Sequence, residues 1–475
     1  MMERLRAIPK SLLRTIAWKF LSLVIALRLY RLLAWFYAGR VVELRPDGSR
    51  VRPSAAGNGR LSMLALSPQF FRGDMLAFAE RDEVRVLLLD EPWLTRLMFQ
   101  FYPQNIPPQD RRLRLFINPS PEEETWDGKV KYREFLRKFI PIFNQNLEID
   151  CVIGHHFLHR PNVDWGAVCE EIGVRYIALH SESMFLDSPH AQKIVTKRVG
   201  SMGKFEGSQI IVYCKAGVDV FSSTGYVQRD KIIALGAPRM DPFVRKVNNP
   251  KPKTGSRKKV LFFTFLFHSE PSLPLYPFFR DYHLTITELA LENPDIDFII
   301  KSKPNYVRSW TRISKLVWSE VGLDIVNIPN ITVRDGENPH DLIFESDVVC
   351  AFNSTTMLET GVTAKPVIVP YFGELRDARY NDQILFRETL PRAFDVAATK
   401  EEFKALIIQR LNDPVVDDAA MSARRGLFEK YCSDLEGTAT ERYISLMKQI
   451  VADGASGDIE GRQDTQDTSY VKRAV

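Results

Sequence analysis

Asn353 is followed by three short polar side chains, Ser354, Thr355 and Thr356, where the apolar run 347–352 gives way to a segment of helical character, and Glu359 lies about one turn further on. A strand that passes straight into a helix presents free backbone N–H groups and the positive end of the helix dipole, which favour a phosphate. The hydroxyls add donors, and a carboxylate at position 359 can accept hydrogen bonds from a ribose diol. Plain N-capping by Ser354 or Thr355 uses the same residue types. The surroundings favour the ligand. The strand-like run 298–301 ends in Lys301 and Lys303, His268 stands in the polar loop after another run, and His340 and Asp341 precede residues 347–352. Cations, a helix start and a carboxylate at one sheet edge describe a nucleoside diphosphate site better than they describe caps.

The elements that must position these groups are short apolar runs alternating with helical stretches. Strands are expected at 84–89, 113–117, 151–153, 174–179, 209–213 and 232–235, with helices at 129–143 and 165–172. Residues 247–259 hold two prolines, one glycine and five basic residues, and mark a linker. A second series follows: strands at 260–265, 298–301, 325–333, 347–352 and 367–371, with helices at 281–291, 309–321, 342–344, 354–362, 399–412 and 417–450. Such alternation indicates βαβ units and parallel sheets, whose ligands sit beyond the carboxyl ends of the strands. The expected organisation is an N-terminal helix (1–40), an irregular connector (41–82), a first α/β domain (83–246), the linker, a second α/β domain (260–450) and a polar, disordered tail (451–475).

Composition separates the N-terminus from the rest. The 475 residues carry a net charge of +5, yet residues 1–40 hold eight basic side chains against Glu3, so the remainder is net negative. Nucleic acid is therefore not an expected partner, since such enzymes carry their basic patch on the body. Residues 11–38 are strongly apolar but interrupted by Arg14, Lys19, Arg28 and Arg31, and their longest uncharged run has only eight residues. That is too short to span a bilayer. An amphipathic helix lying on an anionic membrane surface fits Trp18, Phe20, Trp35, Phe36 and Tyr37 with their basic neighbours; a buried helix is the competing reading. Five cysteines show no ligand spacing, and reduced, buried thiols are expected.

The chain resembles the GT-B glycosyltransferases of bacterial surface-polysaccharide synthesis, of capsule, lipopolysaccharide and teichoic-acid type. Four stretches carry the resemblance: Gly236-Ala-Pro238-Arg239-Met-Asp241; residues 298–305, where Lys303 stands in place of the usual histidine; His340 to Asp347 with Asn353-Ser-Thr and Glu359; and Leu179-His180-Ser-Glu182. The resemblance implies an α/β fold of two doubly wound Rossmann-like domains facing a cleft, with the N-terminal amphipathic helix in addition. It implies a sugar moved from a nucleotide-activated donor to a lipid-linked or glycan acceptor, at the cytoplasmic face of the bacterial inner membrane, with no metal and no cofactor beyond the donor substrate. Arg239, His268, Lys301, Lys303, His340, Asn353, Ser354, Thr355 and Glu359 would hold the donor. The base would be His180 or Glu182, with His155, His156 and His159 as further candidates; for His180 a structural role competes. The His155-His156-x-x-His159 spacing lacks an i, i+4 helical pair with a carboxylate, so zinc is not expected. Transfer of a polyol phosphate from a CDP-activated donor, nucleotide-sugar 2-epimerisation and a non-catalytic assembly role remain as alternatives.

Overall fold

A computed structural model describes residues 10–54, 59–103, 113–181, 184–250, 255–264, 274–302, 317–319, 322 and 324–467. The chain divides into two compact units. The first comprises residues up to 183, 195–241 and those from 438 onward; the second comprises 184–194 and 242–437.

The first unit is built on an eight-stranded sheet: β1 (Val42–Leu44), β2 (Arg50–Val51), β3 (Leu61–Leu66), β4 (Val84–Leu89), β5 (Cys151–His155), β6 (Arg175–His180), β7 (Gln209–Val212) and β8 (Ile232–Ala234), in the order β2-β1-β4-β3-β5-β6-β7-β8. From β4 to β8 every pairing is parallel, while β1 runs antiparallel to both β2 and β4. Every residue of β3 and of β4 is buried, as expected for strands covered on both faces. The expected connector 41–82 is therefore a correction: it supplies β1, β2, β3 and the helix Asp74–Ala79. The apolar run Leu61–Leu66 lies at the heart of the sheet.

The expected strand at 113–117 is also corrected, since Leu113–Ile117 is helical. A mostly apolar run of five residues fits either period, and it packs against the helix Arg160–Glu171. The expected helix 417–450 is two helices, Asp418–Tyr431 and Ala439–Asp467. The second runs on through part of the expected disordered tail and belongs to the first unit, because Tyr443, Ile444 and Met447 are buried in the core beneath β3 to β7.

The N-terminal segment forms two helices, Lys10–Ala26 and Tyr30–Ala38, separated by a turn in which Arg28 takes φ +55°. Leu33, Ala34 and Tyr37 are buried. The rings of Tyr30 and Tyr37 lie 5.7 Å from those of Phe135 and Phe139, on the helix Trp126–Gln145. One face of the expected amphipathic helix is thus part of the core.

The second unit holds a six-stranded, wholly parallel sheet: β9 (Lys259–Phe263), β10 (Asp297–Lys301), β11 (Ile331–Val333), β12 (Val348–Cys350), β13 (Val367–Pro370) and β14 (Asp395–Ala397), in the order β11-β10-β9-β12-β13-β14. The order reverses direction between β9 and β12. That switch point is where the carboxyl ends of an open parallel sheet leave a crevice. Both units are doubly wound α/β folds. The expected 325–333 strand shortens to β11 behind a turn at Ile325–Asn327. Most of the expected helix 309–321 lies outside the described residues.

Candidate functional site

In the second unit, β10, β9 and β12 lie side by side, so their carboxyl ends bring Lys301, Thr264 and the 351–354 turn to one edge. A helix that precedes a parallel strand runs antiparallel to it and therefore begins at that same edge. Pro339–Glu345 precedes β12 in this way and sets His340 there, with Asn338 accepting a 3.0 Å hydrogen bond from the His340 backbone N–H. The helix Thr355–Gly361 follows β12 and carries Glu359, which is only 3% exposed. His340 Nε2 lies 3.4 Å from Glu359 Oε2. Phe243 packs against the imidazole, ring centres 4.3 Å apart at 32°. A buried carboxylate oriented by an imidazole is a rigid acceptor for paired hydroxyls.

The neighbouring residues are engaged locally. Ser354 caps its helix, its Oγ accepting from Thr356 N at 3.3 Å and from Thr356 Oγ1 at 2.9 Å. Asn353 is left-handed, φ +45°, and spans to a facing loop: Nδ2 donates to Gln383 O at 2.9 Å, and Oδ1 accepts from Leu385 N at 3.1 Å. Thr355 opens the helix, half-buried. Lys301 ends β10 with its ammonium folded onto the carbonyls of Ser302 and Asp335, both at 2.7 Å, and burial pulls its pKa below the usual lysine range. His268, Lys303 and Glu182 lie outside the described residues.

The remaining expected residues belong to the first unit. Arg239 is fixed over the Tyr213 ring, donates to Tyr213 Oη at 2.6 Å and faces Asp74 at 3.9 Å; its backbone N–H also donates to Asp74 at 3.1 Å. His180 ends β6, 2% exposed, with its ring 4.4 Å from His156, 5.1 Å from Phe157 and 4.8 Å from Phe221. Burial lowers its pKa to about 3, so the ring is neutral at any ordinary pH. Neither ring nitrogen has a hydrogen-bond partner among the described residues.

A second group of imidazoles stands at the end of β5. His155 Nε2 is 3.3 Å from Ser181 Oγ, and burial lowers its pKa to about 3. Phe70, in the turn after β3, stacks on His155 at 5.2 Å and 26°. His159 Nε2 lies 3.4 Å from Glu91 Oε1, while Glu91 Oε2 accepts from Gln69 Nε2 at 2.6 Å. The hydrogen bond from His159 holds the Glu91 carboxyl below the usual range. A carboxylate on Nε2 favours the tautomer that leaves Nδ1 as a proton acceptor. Gln69, Phe70 and Glu91 escaped the sequence reading. The signal was there: Ser67-Pro68 breaks the apolar run at Leu66, which is how a strand ends at a functional turn.

Among the described residues, no group of three or more His, Cys, Asp or Glu side chains is arranged to hold a metal. No family model matches the sequence, and no curated protein does. Solved structures do resemble it. The wall teichoic acid polymerase TagF is 13% identical with a TM-score of 0.49, over 94% of this chain and 99% of that one. The UDP-GlcNAc 2-epimerase from Neisseria meningitidis, bound to UDP-GlcNAc, is 13% identical with a TM-score of 0.45, over 82% and 100%. Arabidopsis thaliana UGT89C1, complexed with quercetin, is 9% identical with a TM-score of 0.43, over 81% and 99%. At such values no residue's role passes from these proteins to this chain, and its chemistry rests on its own site.

Proposed function

We propose that the second unit binds the nucleotide of an activated sugar at the β9–β10–β12 edge, and that the protein transfers the sugar to a lipid-linked or polysaccharide acceptor. The observation that carries this reading is the Glu359–His340 pair. Its carboxylate is buried, oriented by the imidazole and placed at the switch point of a parallel sheet, and a carboxylate is an acceptor suited to a ribose diol. Phe243 gives the pair an aromatic wall. Lys301, at the end of a strand two places away, supplies positive charge toward a diphosphate. The first unit is assigned to the acceptor, because Glu91 lies on Nε2 of His159 and so orients that imidazole with its other ring nitrogen as a proton acceptor. His268, Lys303, Asn353, Ser354 and Thr355 stay in the proposal as donor residues, and His180 and Glu182 as catalytic ones; Arg239 is held by Tyr213 and Asp74 within the first unit.

The test is a panel of UDP, CDP, GDP, ADP and CMP against thermal unfolding, followed by assay of the stabilising nucleotide's sugar conjugates. A ligand that binds the native state raises the melting temperature. Nucleoside diphosphate released only when an acceptor extract is present supports sugar transfer. Release of CMP from a CDP-linked polyol indicates phosphotransfer instead, and sugar inversion from the donor alone indicates epimerisation. No shift with any nucleotide removes the proposal.

A further inference from the structure

Large exposed apolar side chains are not scattered over the described residues. Of twelve such residues, six fall between positions 20 and 35: Phe20, Leu23, Leu27, Leu29, Leu32 and Trp35, the last 69% exposed. Isolated examples are ordinary on a protein surface; a run of them on one element is not. The spacing accounts for the run. Phe20 and Leu23 follow i, i+3 on the first helix, with Leu27 just past its end in the same register, and Leu32 and Trp35 follow i, i+3 on the second, so each helix shows an apolar face. Elsewhere on the same two helices Val24, Leu33, Ala34 and Tyr37 are buried in the first unit. The helical pair is therefore fixed in part and bare in part.

Charge says what covers the bare side. Lys19, Arg28 and Arg31 are exposed on the same segment, and after Glu3 the next acidic residue is Glu43. A second copy of the chain laid on this face would bring like charges together. No helix of the described residues is long and apolar enough to cross a membrane.

We propose that this helical pair is a rigid docking face for an anionic lipid bilayer, with the six apolar side chains set into the interface and Lys19, Arg28 and Arg31 on lipid phosphates. This goes beyond the transfer reaction and does not depend on it, because bilayer binding needs no nucleotide. It also differs from a detachable anchor. Removing residues 1–40 would strip Leu33 and Tyr37 from the core, so loss of binding after that deletion would report unfolding as readily as detachment. Substitutions on the outer face avoid the problem.

The experiment is co-sedimentation of the full chain with vesicles of phosphatidylcholine plus phosphatidylglycerol, and with vesicles of phosphatidylcholine alone. Two double variants are compared, Leu23→Asp with Trp35→Asp, and Lys19→Glu with Arg31→Glu. The full chain is expected to sediment with the anionic vesicles and much less with the neutral ones. Both variants should bind at least about tenfold more weakly while keeping the parent's melting temperature, since every substituted side chain is exposed. Failure of the full chain to bind anionic vesicles, or undiminished binding by the Leu23→Asp, Trp35→Asp variant, would overturn the proposal. So would sedimentation velocity showing a dimer that this variant splits, which would assign the face to a second copy. A nucleotide panel that fails while vesicle binding succeeds would remove the transfer reading and leave this one standing.

Discussion

Asp241 holds the start of the helix Ala439–Asp467: its carboxylate accepts the backbone N–H of Ala439 at 3.1 Å and of Thr440 at 2.7 Å. It does so in the core, with Asp241 1% exposed and Thr440 2%. In the same stretch Arg239 faces Asp74, and Tyr443 Oη donates to Gly236 O at 2.8 Å. The Gly236–Asp241 stretch thus binds the C-terminal helix into the first unit. Replacing Asp241 by alanine leaves two buried donors without their acceptor and should cost about 2–3 kcal/mol. The expected result is a fall of roughly 5–10 °C in melting temperature, followed by circular dichroism. An unchanged melting curve would contradict this role.

The two faces of the N-terminal segment should differ sharply in stability experiments. Tyr37 is fully buried against the rings of Phe139 and Trp93, and its hydroxyl donates to Trp93 O at 3.2 Å. Tyr37→Ala should therefore cost about 3–5 kcal/mol. Trp35→Ala, two residues away on the exposed face, should stay within about 0.5 kcal/mol of the parent. Urea titration of the two variants side by side measures the contrast.

Acid should destabilise the first unit earlier than ordinary carboxylate titration would. Burial lowers the pKa of His155 and of His180 from 6.5 to about 3. Between those values the unfolded chain binds protons that the folded chain refuses, so stability falls as pH drops through this window. The slope is about 1.4 kcal/mol per pH unit for each such histidine. His180→Phe, placed between Phe157 and Phe221, should flatten the loss of stability between pH 6.5 and pH 4. Melting temperatures of parent and variant across that range decide the point, and parallel curves would show that His180 is not among the groups responsible.

Asn353 is expected to act through the loop it holds. Its side chain joins Gln383 O to Leu385 N, and its own backbone is left-handed, a conformation asparagine tolerates better than alanine does. Asn353→Ala should speed hydrogen exchange at the Leu385 amide while leaving the β9 and β12 amides protected. Unchanged exchange at Leu385 would show that the clamp is unimportant in solution.

Much of the second unit was legible in its sequence, for a physical reason. Strands covered on both faces read as unbroken apolar runs, and β9, β10, β12 and β13 are of that kind. Their alternation with helices gave the parallel topology. What stayed hidden depends on partners far along the chain. Leu61–Leu66 is as apolar as any strand, but the Pro- and Gly-containing residues before it suggested a connector. Nothing local in Ala439–Asp467 indicates that Tyr443 and Met447 close the core beneath β3. The N-terminal helices read as amphipathic because they are, yet only tertiary packing shows that Tyr37 faces inward and Trp35 outward. At the candidate site, Glu359 was legible as a carboxylate one turn into a helix. Its partner His340 is legible in the same stretch, but the Phe243 ring that packs on the imidazole comes from more than ninety residues earlier. Ser354 shows the opposite case, where a residue read as a ligand also serves as a helix cap.

The most direct test of the account is calorimetric titration of the nucleotide that stabilises the protein most into the parent chain and into Glu359→Gln. That substitution keeps the size of the buried side chain and removes its charge. Loss of a charge-assisted hydrogen bond is worth about 1.5–3 kcal/mol, so binding should weaken by roughly ten- to a hundredfold while the ligand-free melting temperature stays close to the parent's. Equal affinity of the two proteins for that nucleotide would contradict the assignment of Glu359 to the ribose, and with it the proposed site.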